Sequence, residues 1–315
     1  MNTLPHRKKR RSAFTLIEIM VATVIMIVLT GLVIQITSEV LKVWNRSSGK
    51  LSANSEARIT LDLLTQDLET AVFRNNGMRW LEAETKTFPG SIAGFRPQTI
   101  NLILFSPALD RPRDTTGQDI PGDICVVQYE LVYQDPVSGT DVDELDNMFA
   151  LHRRVIDSAT TFTDLMGSGN QEDFDAWAAS EVVPSAAVTV NVDPYKAPRH
   201  PENYLAGHIA NFKVDFFVVN NLGEEVKVPA PIRFGGSVVG GASTATVGAN
   251  ATDANYRFPL AYAEISITVL SDEGTKFLQA LRDNRGGTGY GDGEDVVREH
   301  GEVFTRRVNF LARPL

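Results

Sequence analysis

Residues 19–34 are sixteen consecutive positions without a charge, and only Thr23, Thr30 and Gly31 interrupt the apolar run. Extended back to Phe14, the stretch is 21 residues long and holds one charge, Glu18. As a helix it spans roughly 30 Å, the thickness of a bilayer core. Arg7, Lys8, Lys9, Arg10 and Arg11 precede it with no acid among residues 1–13. Cations on that flank stay on the cytoplasmic side and leave the C-terminal bulk outside.

Two simple accounts of such a segment fall short. A cleaved secretory signal has a shorter apolar core and a small-residue cleavage site, whereas Gln35-Ile36-Thr37-Ser38-Glu39 continues the helix. A plain signal anchor leaves Glu18 unexplained, because a carboxylate at a membrane helix costs roughly 3 kcal/mol and needs a partner.

Ala13-Phe14-Thr15-Leu16-Ile17-Glu18 followed by an apolar helix resembles the class III signal of type IV pilins and type II secretion pseudopilins. The resemblance implies that a prepilin peptidase cuts between Ala13 and Phe14 and that Phe14 becomes the N-methylated terminus. It implies that Glu18 pairs with the terminal amine of a neighbouring subunit during assembly. That pairing agrees with the chemistry, since an ammonium in low dielectric is a natural partner for a buried acid. The family usually has Gly where this chain has Ala13, another small residue.

The helix is expected to run beyond the membrane. From Gln35 to about Asn75 there is no proline, and Gly49 is the only glycine. Ile59, Leu63, Leu64, Leu68, Ala71 and Val72 recur at spacings of three and four and predict the face that packs on a sheet. Arg58, Asp62, Gln66, Asp67 and Glu69 are placed off it. A helix from Phe14 to Asn75 would be roughly 90 Å long. The segment 61–74 resembles the stem end of J-type minor pseudopilins. Glu18 sets the chain apart from the K type and its length from the small I type. The chain is also similar to the Verru_Chthon cassette protein C family.

Beyond Gly77 the period becomes strand-like. Strands are predicted at 99–105, 123–133, 151–156, 209–219, 226–228 and 259–270, with a last one at 303–311. A short helix is expected at 271–281 with Ser271 as its N-cap. Residues 157–205 read as irregular with one short helix near 172–179, 235–254 as a flexible excursion, and 286–293 as a Gly-rich loop. Arg306, Arg307 and Arg313 would blunt the last strand as an edge. The expected fold is α+β and pilin-like: a long N-terminal helix packed on an antiparallel sheet with long loop insertions. The J-type resemblance implies two small sheets. The expected parts are a basic leader at 1–13, a transmembrane helix at 14–35, an amphipathic stem at 36–76 and a β-rich periplasmic head at 77–315.

Charge bounds the partners. The chain carries 30 basic and 39 acidic residues, a net −9. Without the leader the balance is 25 against 39, or −14, which argues against nucleic acid as a partner. The single cysteine, Cys125, excludes an internal disulfide and a zinc site built from four cysteines, and its apolar strand makes it a buried structural thiol.

The chain carries no G-x-S-x-G elbow, P-loop or H-E-x-x-H, and its five histidines are scattered. His200 and His208 stand eight apart across Pro201, a poor spacing for a metal pair. Some pseudopilins bind calcium, and two acidic groups are its candidates here. One is Asp141, Asp143, Glu144 and Asp146; the other is Asp292, Glu294 and Asp295 beside Gly291 and Gly293. Neither fits the EF-hand template. No cofactor and no enzymatic activity are expected.

These readings converge on a structural subunit. The expected partners are prepilin peptidase, other pseudopilins or pilins, the bacterial inner membrane and secreted cargo, with a place near the tip of a pseudopilus. The alternative is a membrane-anchored periplasmic binding module or enzyme that uses a pilin-type anchor, with loops 157–205 and 235–254 for recognition.

Overall fold

The computed structural model describes residues 15–72, 80–86, 94–108, 124–139, 147–156, 158, 161–162, 201–234, 245–247, 257–283 and 289–310. The expected helix near 172–179, His200 and Arg313 lie outside them. The chain divides into two compact units, Met1–Ser48 and Gly49–Leu315. Helix α1, Leu16–Glu69, contributes residues to both.

In the first unit the apolar side chains of α1 are exposed along the whole run, from Leu16 through Ile34 to Trp44. This part of α1 is long and apolar enough to cross a membrane.

In the second unit α1 is one-sided. Ala53, Ala57, Leu61, Leu64 and Leu68 are buried, at spacings of three and four, and Ala71 just past the helix end is buried with them. This stripe is turned from the expected one. Ile59 is 59% exposed, while Asp67, placed among the polar positions, is 3% exposed. Ala53 and Ala57 set the phase, since their small side chains belong to the same buried row. The helix also closes earlier than Asn75. After Glu69 the backbone turns, and Val72 N donates to Phe105 O at 2.7 Å, which ties the exit to a strand.

Among the described residues eleven strands form one mixed sheet. They are β1 Leu81–Lys86, β2 Thr99–Ser106, β3 Cys125–Gln134, β4 Met148–Ile156, β5 Tyr204–Ala206, β6 Ile209–Val219, β7 Glu225–Val228, β8 Ile232–Phe234, β9 Ala245–Val247, β10 Leu260–Leu270 and β11 Gly301–Asn309. Helices α2, Asp272–Arg282, and α3, Gly293–His300, join β10 to β11. The fold class is therefore α+β, as expected. The sheet is mixed rather than wholly antiparallel, because β8 and β9 pair parallel and β2 meets β6 in parallel at Thr99↔Phe212.

That last contact corrects the expectation of two separate sheets. The path β11-β10-β6-β2-β1-β8-β9 is continuous, with β3, β4 and β5 branching from β2 and β7 from β6. Along one edge of β2, β3 pairs with Leu102–Ser106 and β6 takes over at Thr99. Phe212 N donates to Gln98 O at 3.0 Å and Gln98 N to Asn211 Oδ1 at 2.8 Å, which fixes the junction.

Strands β1, β5, β8 and β9 and helix α3 were not foreseen. Strand β1, Leu-Glu-Ala-Glu-Thr-Lys, is built largely from residues that favour helices. Strand β9 falls inside the stretch read as a flexible excursion. Helix α3 lies between the Gly-rich loop expected at 286–293 and the strand expected at 303–311. Asp292 is its N-cap, accepting from Asp295 N at 3.0 Å. The β6–β7 turn is as read, with Gly223 at φ 78°, where a side chain would be strained.

Candidate assembly site

Glu18 stands in the first turn of α1. Its Oε2 accepts from Thr15 N at 3.1 Å and from Thr15 Oγ1 at 3.1 Å. In return Thr15 Oγ1 accepts from Glu18 N at 3.4 Å. Thr15 is thus the N-cap and Glu18 the third helical residue of a reciprocal capping box. The spacing Thr-x-x-Glu is visible in the sequence and is the signal by which Thr15 could have been found.

The box has two chemical consequences. It satisfies donors at the helix start that have no partner within the helix. It also holds a carboxylate at the positive end of the helix dipole while leaving Oε1 without a partner among the described residues. A free carboxylate oxygen at a helix start is a fit receptor for an ammonium group.

Ala13 and Phe14 lie outside the described residues, as do Asp141, Asp143 and Asp146. The second acidic group is described, and it has structural duties. Asp292 caps α3, and Asp295 pairs with Arg298 one turn on. Among the described residues no group of three acidic, histidine or cysteine side chains is placed to hold a metal ion.

Cys125 is buried in β3, 3% exposed. His208 stands at φ 57°, a region disfavoured for a side-chain-bearing residue. Its Nδ1 lies 2.8 Å from Thr275 Oγ1 and its Nε2 3.6 Å from Asp272. These residues line an open cleft of 580 Å3 together with Asp135, Val137, Met148 and Lys276. Asp135 is engaged in its turn, where the Ser138 side chain first, and then Val137 N at 2.9 Å and Ser138 N at 3.1 Å, hold its carboxyl below the usual range.

A family model described as the prokaryotic N-terminal methylation motif matches residues 8–34. The matched segment contains Ala13, Phe14, Thr15 and Glu18 and most of the apolar run. The chain is similar in structure to a type IV-like pilin from Thermus thermophilus, over 82% of this chain and 94% of that one. Identity is 11% and the TM-score 0.31, so the motif and not this likeness carries the assignment. No curated protein matches. The chain thus carries a prepilin-type methylation motif at the head of a long apolar helix, and an α+β unit follows.

Proposed function

We propose that this chain is a minor pseudopilin, a structural subunit without enzymatic activity. A prepilin peptidase cuts it between Ala13 and Phe14 and methylates Phe14. The helix from Phe14 onward anchors it in the bacterial inner membrane, with the leader cytoplasmic and the β-rich unit periplasmic. It then joins other pseudopilins in a type II secretion pseudopilus or a related filament, near the tip, where the periplasmic unit meets neighbours and secreted cargo. The observation that carries this reading is the methylation motif at 8–34 set on an apolar helix exposed on every side. Glu18, held in the capping box with Oε1 to spare, is the residue to which assembly is assigned.

The test is intact mass and N-terminal analysis of the chain expressed with and without an active prepilin peptidase. The expected product with the peptidase begins at methylated Phe14. A chain that stays full length beside its active cognate peptidase overturns the reading.

A further inference from the structure

Strand β11 ends the sheet on one side. It pairs with β10 in unbroken register from Tyr262↔Asn309 to Leu270↔Gly301. One residue beyond, Phe310 N donates to Ala261 O at 3.3 Å. Hydrogen-bonded pairs alternate along an antiparallel ladder, so this bond fixes the phase. Glu302, Phe304, Arg306 and Val308 turn their N–H and C=O groups toward β10. Val303, Thr305, Arg307 and Asn309 turn theirs away. No described strand meets that outer row, and all four residues are exposed, Val303 at 62%.

Native sheets guard such edges with short strands, lysines, prolines or bulges. Strand β11 has nine residues, no proline, no lysine and no register shift. Of the arginines expected to blunt it, the two described are engaged elsewhere. Arg306 pairs with Asp62 on α1. Arg307 pairs with Glu225 at 3.1 Å and lies over the Tyr262 ring at 3.4 Å. What the edge offers is a free backbone ladder, the apolar Val303, and Glu302, an exposed carboxylate with no cationic partner among the described residues.

We propose that the outer edge of β11 is a strand-addition site for an extended segment of a neighbouring pilin-like subunit, with a basic residue facing Glu302 and an apolar one beside Val303. The proposal rests on the reading of the chain as a filament subunit. Only extended backbone satisfies a row of alternate N–H and C=O groups. The unpaired carboxylate then selects for a cation.

The discriminating variant is Thr305→Pro. Its missing N–H points outward, so the bonds to β10 are spared while the added strand is blocked. Thr305→Val keeps the N–H, and Glu302→Lys reverses the charge without touching the ladder. The full chain is expressed with the pilin-like subunits of its own host, and amide exchange is compared between the isolated and the assembled chain. Exchange at Val303, Thr305 and Arg307 is expected to slow at least about tenfold on assembly. Thr305→Pro and Glu302→Lys should lose most incorporation, and Thr305→Val should keep it. The proposal is overturned if the wild-type chain assembles with these amides as fast as in isolation, or if Glu302→Lys and a folded Thr305→Pro incorporate normally. Amides of Phe304 and Arg306 report whether that variant is folded. If the correctly processed wild-type chain joins no assembly, the filament reading fails, and the proposal with it.

Discussion

Asp67 on α1 and Arg153 on β4 meet at two points, Arg153 Nε to Oδ2 at 2.8 Å and Nη2 to Oδ1 at 3.1 Å. Both side chains are 4% exposed. Tyr129 on β3 donates to the same Oδ2, and Arg153 Nε reaches the Tyr129 hydroxyl at 3.0 Å. Burial, and then the Asp67 charge, push the Tyr129 hydroxyl well above its ordinary pKa, so it stays a donor. The group joins the stem end of α1 to the middle of the sheet.

Removing one partner should therefore cost much more than removing all. Asp67→Ala strips a buried guanidinium of its carboxylate and is expected to destabilise the Gly49–Leu315 unit by about 3–5 kcal/mol. Asp67→Leu combined with Arg153→Met and Tyr129→Phe should come within about 1 kcal/mol of the wild type. Denaturant unfolding of the full chain in detergent measures both. A triple variant as unstable as Asp67→Ala would show that the network contributes net stability rather than specificity.

A second prediction concerns pH. On the outer face of the sheet Tyr262 donates to Glu225 at 2.6 Å, and burial followed by this bond pushes its pKa up to about 12 from an ordinary 10. The folded state then holds the proton more tightly than the unfolded chain. That contribution is whole below pH 10 and is lost as the pH climbs from 10 to about 12. Glu225 is shifted the other way, below the carboxylate range, first by the Tyr262 hydroxyl and then by Arg307. Its contribution is present above the ordinary carboxylate pKa and fades as pH falls through the lowered value. Tyr262→Phe should flatten both flanks of a plot of Tm against pH. Flanks that coincide with the wild type would refute the coupling.

What the sequence displayed was local. Strands β2, β3, β4, β6 and β10 show apolar runs or alternation between proline, glycine and aspartate stops, and Ser271 announces α2. Glu18 stood out because its charge breaks an apolar run. The burial of Asp67 was not visible, because its partner Arg153 lies 86 residues away and an acid on a helix reads as solvated. Nor was the Thr99↔Phe212 junction, a single long-range pair with no local signal. Helix α3 was hidden by composition, since Gly-Asp-Gly-Glu-Asp reads as loop until Asp292 is seen as a cap.

The caps give a third prediction, which bears directly on calcium. Ser271 accepts from Gly274 N at 3.2 Å, and Asp292 does the same for α3. Ser271→Ala and Asp292→Ala should each destabilise the fold by about 1 kcal/mol. If Asp292 serves only as a cap, millimolar calcium leaves Tm unchanged in the wild type, and Asp292→Asn restores most of the lost stability. A rise in Tm with calcium that vanishes in Asp292→Asn would instead make this acidic group a metal site.

The fourth prediction separates the two duties of Glu18. Its Oε2 closes the capping box with Thr15, which is a matter of hydrogen bonding and is worth about 0.5–2 kcal/mol. Its charge is the part that an ammonium from a neighbouring subunit would need. Glu18→Gln keeps a side-chain oxygen for the box and removes the charge; Thr15→Ala removes the hydroxyl and keeps the charge. If assembly depends on the amine, Glu18→Gln should lose co-assembly with partner pilin-like subunits by at least about tenfold, nearly as much as Glu18→Ala. Thr15→Ala should then lose only a few-fold, in step with a weakened helix start. The measurement is the yield of cross-linked or co-purified assemblies from membranes with equal amounts of processed chain. Full assembly by Glu18→Gln would mean that the box alone is needed and that no charge is paired at this position. Unchanged assembly by Glu18→Ala would remove the residue from assembly altogether.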